Sequence, residues 1–196
     1  MKRVIPVFLA SLLLSACSYG ELLEFVEGSA GGGDLSAPEN PTDVQAAGST
    51  TDARSDDEKA QAEITQALDP DLGIGTKIGL ANDAVQSRPA DPRYLMYRSW
   101  FNRIAGDDEA AKADLAAAYG LAQEAYGGGP TAERRYAEFY LDATAAVMLT
   151  YPEDSETRDR MEFVYCIAFF KYREDFGSSL LGSAYLDFKA HQDLCT

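Results

Sequence analysis

An all-α fold is what the sequence predicts, and three features predict it. From Glu58 onward apolar residues recur at i, i+3 and i+4, with no alternating stretch of strand type. Gly, Pro and Asp interrupt that pattern where helices should start and stop. Met161, Val164, Tyr165, Ala168, Phe169, Tyr172 and Phe176 form one unbroken helical stripe. The expected architecture is an antiparallel helical array or short α-solenoid of about six or seven helices.

The first helix is expected over residues 60–68, preceded by Asp56 and Asp57 and stopped by Asp69-Pro70. A second over 76–88 ends before Pro89. Asp91 caps a third with Pro92 at its first position, and the helix closes at Gly106. Asp107 or Asp108 opens a fourth, which ends before Gly127-Gly128-Gly129-Pro130. The fifth covers 131–151 and stops at Pro152. Asp154 or Ser155 caps a sixth reaching about Phe176, and 178–191 is the last. Phe163, Ile167 and Phe170 lie off the stripe of the sixth helix. Its broad apolar face makes it the expected centre of the C-terminal half.

Part of this array has a period. Ala84 and Ala118 are thirty-four residues apart. Ser99 supplies a small residue for close helix contact, Gly106 a turn, and Ala111, Leu115 and Ala118 a packing face. Pro89-Ala90-Asp91-Pro92 stands between the second and third helices. Residues 76–125 thus resemble about one and a half tetratricopeptide repeats. Leu95, Arg98 and Asn102 replace the usual large aromatic, leucine and tyrosine, Lys77 replaces alanine, and the register is lost after Gly127.

The N-terminal region is of another kind. Lys2 and Arg3 precede an apolar run from Val4 to Leu14, too short to span a bilayer, which takes about 20 residues. Leu14-Ser15-Ala16-Cys17 follows and resembles the lipobox of bacterial lipoproteins. The resemblance implies removal of residues 1–16 and acylation of Cys17, so the membrane is an expected partner. Ser18 in place of Asp implies, by the same resemblance, the outer membrane, with the protein facing the periplasm. Residues 17–57 are rich in Gly, Ser, Ala, Pro, Asp and Thr and read as a flexible tether, with residues 58–196 as the helical domain. From Cys17 to Glu58 ten acidic residues face Arg54 alone, so self-repulsion should extend the tether.

The net charge is −15, and loss of Lys2 and Arg3 would make it −17. Such a surface repels nucleic acid and anionic lipid headgroups. Cys17, Cys166 and Cys195 are the only cysteines. With Cys17 acylated and the compartment oxidising, a Cys166–Cys195 disulfide is expected. Two long straight helices about Gly177 would leave the sulfurs about 10 Å out of level, so the tail must fold back.

No catalytic constellation stands out. His191 is the sole histidine and reads as a surface or helix-end residue. No His/Cys/Asp group has metal-ligand spacing, and Gly73-Ile74-Gly75-Thr76-Lys77 matches no phosphate loop, so neither metal nor cofactor is expected. Glu133 and Glu138 invite comparison with lytic transglycosylases, whose Glu-Ser and Gly-Leu-Met-Gln motifs are absent.

Aromatics are the unusual component. Eighteen of the twenty-one fall between Tyr94 and Phe188. Most should be core, but Tyr94, Tyr97, Trp100 and Phe101, with Arg98, Arg134 and Arg135, could line a cationic aromatic groove suited to an acidic peptide. Pairing of those arginines with local carboxylates is the competing expectation. The expected function is non-enzymatic: a tethered scaffold or accessory factor that binds another envelope protein in envelope or secretion-system assembly. The alternative is a small-molecule or lipid carrier with an internal aromatic cavity, which would need an enclosed apolar space of roughly a few hundred Å³.

Overall fold

The computed structural model describes residues 55–178 and 188–195. The expected leader, Cys17 and residues 17–54 of the expected tether lie outside the described residues, as do residues 179–187. Among the described residues seven helices follow one another: α1 (Asp56–Ala67), α2 (Ile74–Ser87), α3 (Pro92–Ile104), α4 (Asp108–Tyr126), α5 (Gly129–Met148), α6 (Glu156–Phe176) and α7 (Phe188–Leu194). There is no strand among the described residues, and the protein is all-α.

α1 begins four residues earlier than its apolar spacing indicates, because Ser55 and Glu58 form a capping box. The Glu58 N–H donates to Ser55 Oγ at 3.3 Å, and the Ser55 N–H donates to Glu58 Oε2 at 2.9 Å. The other end of α1 is closed from α2. Lys77, buried, sends Nζ to the carbonyls of Ala67 at 3.0 Å and Asp69 at 2.6 Å. A lysine stands where a repeat would have alanine, and it satisfies carbonyls that the helix end would otherwise leave open.

α3 starts on Asp91, which accepts from the Arg93 N–H at 3.0 Å, with Pro92 at the first position. Gly106, at φ +85°, turns the chain into α4. Ser99, Ala111, Leu115 and Ala118 are all buried where α3 and α4 meet, and Ala84 is buried on α2. Small side chains there let the backbones approach closely.

α5 starts at Gly129 rather than at 131, after Gly127 and Gly128, both at positive φ. It ends at Met148, where the Thr150 and Tyr151 N–H groups turn back onto Val147 and Met148. Between Tyr136 and Met148 every residue but Phe139 is buried. A helix buried all round is a central helix. Among the described residues α5 packs against α3, α4 and α6, whereas α6 packs against α5 and α7. The centre of the C-terminal half is therefore α5, not α6, whose Phe163 (62%) and Phe170 (42%) remain exposed.

α7 runs to Leu194, three residues past the expected end at 191; residues 179–187 of the helix expected over 178–191 lie outside the described residues. It covers seven residues, and Cys195 follows it in a turn. Cys195 is bonded to Cys166 with their Cα atoms 5.4 Å apart. The end of α7 thus lies beside the middle of α6, as the bond requires.

Candidate functional site

α1, α3 and α5 enclose a cleft of about 60 Å³. α1 contributes Gln61, Ile64 and Thr65, α3 contributes Arg93, Tyr94 and Tyr97, and α5 contributes Phe139, Asp142 and Ala143. The spacing explains the choice. Tyr94 and Tyr97 are one turn apart on α3, and Phe139, Asp142 and Ala143 follow i, i+3, i+4 on α5. Arg93 stands at the rim, 5.6 Å over the Tyr94 ring, with its guanidinium on both oxygens of Asp91 at 2.5–3.1 Å. That pairing holds Arg93 protonated, and burial pushes the Tyr94 phenol up.

Behind Asp142 lies a buried pair of rings. The Tyr165 hydroxyl and His191 Nδ1 are hydrogen-bonded, and His191 Nε2 is 3.6 Å from Asp142 Oδ1. His191 is fully buried, not a surface residue, and its ring is nearly parallel to those of Tyr165 and Phe169. Burial, and then the Asp142 charge, push the Tyr165 phenol far up. The three side chains tie α7 to α5 and α6, with no exposed atom on either ring system to offer a substrate.

The seven residues expected to form one groove fall in four places. Tyr94 and Tyr97 reach the cleft. Trp100 and Phe101 are core residues, Trp100 lying 5.7 Å from the Tyr140 ring. Arg98 faces α4, where Nε and Nη2 grip the buried Asp114 at 2.9 and 2.5 Å and Nη1 reaches Asn82 at 2.9 Å. Asn102 adds a hydrogen bond to Asp114 at 3.1 Å, so one carboxylate joins α3 to α4 and, through Arg98, to α2. Arg134 and Arg135 face Glu138, which is 1% exposed, at 3.5 and 3.4 Å. Tyr172 donates to Glu138 at 2.7 Å and accepts from Arg134 at 3.1 Å. Burial first, and then Glu138, push the Tyr172 phenol up to about 12. Arg93, Arg98, Arg134 and Arg135 thus each meet a carboxylate, and these four form no free cationic surface.

Asp142 is the cleft residue that sequence reasoning missed. Its signal was present: one carboxylate within Tyr140-Leu141-Asp142-Ala143-Thr144-Ala145-Ala146-Val147-Met148. A charge inside a run of that kind is either buried against a partner or lines a cavity. Among the described residues no group of three His, Cys, Asp or Glu side chains is placed to hold a metal ion, and no helix is long and apolar enough to cross a membrane.

No protein-family model, curated protein or solved structure matches this chain.

Proposed function

We propose that this protein is a lipid-anchored bacterial envelope protein that works by contact and not by catalysis. Acyl chains on Cys17 fasten it to the outer membrane, the acidic tether gives its helical domain reach into the periplasm, and that domain binds another envelope protein. Two or more acyl chains hold firmly where one holds weakly, since each buried CH₂ contributes about 0.8 kcal/mol. Thirty flexible residues of such a tether span about 30 Å r.m.s., and more when their charges repel.

The observation that supports contact over carriage is the size of the aromatic cleft. Small-molecule sites run to roughly 300–1,000 Å³. A cleft of about 60 Å³ between α1, α3 and α5 takes one side chain, not a lipid or a metabolite. Its walls are nonetheless tyrosine and phenylalanine, which make effective anchors in protein interfaces.

A photo-crosslinking amino acid at Thr65, exposed at the cleft rim, tests this in intact cells. Expected is one dominant cross-linked envelope protein, absent when the crosslinker is moved to the exposed Glu124 on α4. Identical cross-links from both positions, or none from Thr65, would overturn the contact role.

A further inference from the structure

We infer that α6 pairs with α6 of a second copy of this chain, antiparallel and about a two-fold axis at Ile167; the pair is separate from the contact that the cleft makes. α6 carries two stripes. Met161, Val164, Tyr165, Ala168, Phe169 and Tyr172 are buried. On the other side Glu156, Arg160, Phe163, Ile167, Phe170 and Glu174 follow at spacings of four, three, four, three and four. That alternation is the seam of a coiled coil, the row of positions one helix presents to another. Its middle is apolar and open. Phe163 is 62% and Phe170 42% exposed, with Ile167 half-buried between them. Arg173 lies 5.0 Å over the Phe170 ring and still leaves it exposed. A scattered surface phenylalanine is ordinary, but three apolar side chains in step along one seam form a contact surface.

Charge at the two ends of the seam selects the occupant. Turned end over end about Ile167, a second α6 sets Phe163 against Phe170 and Arg160 against Glu174, and the two-fold repeats both contacts. A parallel copy would instead stack Arg160 on Arg160 and Glu174 on Glu174, which repel. Arg160 already meets Glu156 at 2.5 Å, but that pair is exposed and worth little, so the guanidinium can serve a second carboxylate. The net charge of −15 opposes contact between copies, and a self-contact must therefore bring cations of its own. Arg160 and Arg173 supply them at this face. Two helices meeting over about three turns bury less than the roughly 1,200 Å² of a standard interface, so the pair is weak in dilute solution. Copies fastened to one membrane, as proposed above, meet at a raised effective concentration that favours it.

Photo-crosslinking in intact cells tests the pair. With p-benzoylphenylalanine in place of Phe163, and two copies of the full chain carrying different tags, the expected product joins one tag to the other. An adduct confined to one chain, or formed only with a different protein, overturns the pairing. Sedimentation equilibrium of the purified full chain measures its strength. Expected is a monomer–dimer equilibrium that Phe163→Ser weakens at least about tenfold. Arg160→Glu or Glu174→Arg alone should weaken it about fivefold, because each sets like charges together at both ends of the seam. Combined, the two exchange the charges and should restore the dimer. Both positions are exposed, so this rescue separates pairing from folding. A chain monomeric even at millimolar concentration overturns the proposal. So does a dimer indifferent to Phe163→Ser, or a double variant as weak as the singles. The Thr65 cross-link reports separately on the other envelope protein, and stands or falls without this pair.

Discussion

Arg98 shows how much a single side chain can hold. Its fork closes on Asp114, which lies buried between α3 and α4, and Asn82 and Asn102 complete the network. Removing one partner of a buried pair leaves the other charge uncompensated. Arg98→Ala should lower the unfolding free energy by about 2–4 kcal/mol in urea, and Arg98→Lys by less, since an ammonium keeps the charge but not the fork. The buried tyrosines set the alkaline limit. Tyr94, Tyr151, Tyr165 and Tyr172 all have phenols pushed up by burial, so the unfolded chain releases their protons first. Their contribution is complete below about pH 10 and is lost as pH rises through the folded values. Lys77, pushed down by burial, works the other way but is one group against four. Unfolding free energies measured from pH 9 to 12 should therefore fall, and fall less steeply for Tyr172→Phe. At this scale the sequence was a partial guide. Residue types were legible but pairing was not: Arg98 and Asp114 are sixteen positions apart, and nothing local marks them as partners.

At the scale of the element, helix ends were more legible than helix roles. Asp91-Pro92, Gly106, Gly127 and Gly177 stop or start helices through local chemistry, and each sits at the expected boundary. Apolar spacing begins only at Ala60, whereas the polar Ser55–Glu58 box sets the start of α1. Gly128 carries a heavier constraint than Gly106. It has φ +76° and ψ −176°, a region essentially closed to other residues, and a Cβ there would lie 3.0 Å from the Gln123 amide oxygen. Gly128→Ala should cost about 1–3 kcal/mol by thermal unfolding, and Gly106→Ala about 1–2 kcal/mol. That α5 and not α6 is central has a physical source. A buried central helix has no contrasting polar face, so α5 shows no single stripe, whereas the rings of α6 drew attention although Phe163 and Phe170 face solvent.

For the whole molecule, the Cys166–Cys195 bond fastens the chain's last helix to α6, next to the exposed Phe163 and Phe170. It closes a loop of sequence separation 29, which the chain-entropy view credits with about 3–4 kcal/mol. Reduction should lower the melting temperature and free α7, and loss of the His191 contacts should appear as exposure of Tyr165 and Phe169 to hydrogen exchange and quenchers. The all-α class was legible because helical periodicity and Gly/Pro punctuation agree over the whole domain. The cleft was not, since its nine residues come from three helices and meet only in the fold. What would join the domain to its proposed work is the proposed anchor at Cys17. Intact-mass spectrometry of the protein extracted from cell envelopes tests that most directly. A chain beginning at Cys17 with the added mass of acyl groups, lost in Cys17→Ser, is the expected result. A mature chain that starts elsewhere, or starts at Cys17 with no added mass, would contradict it.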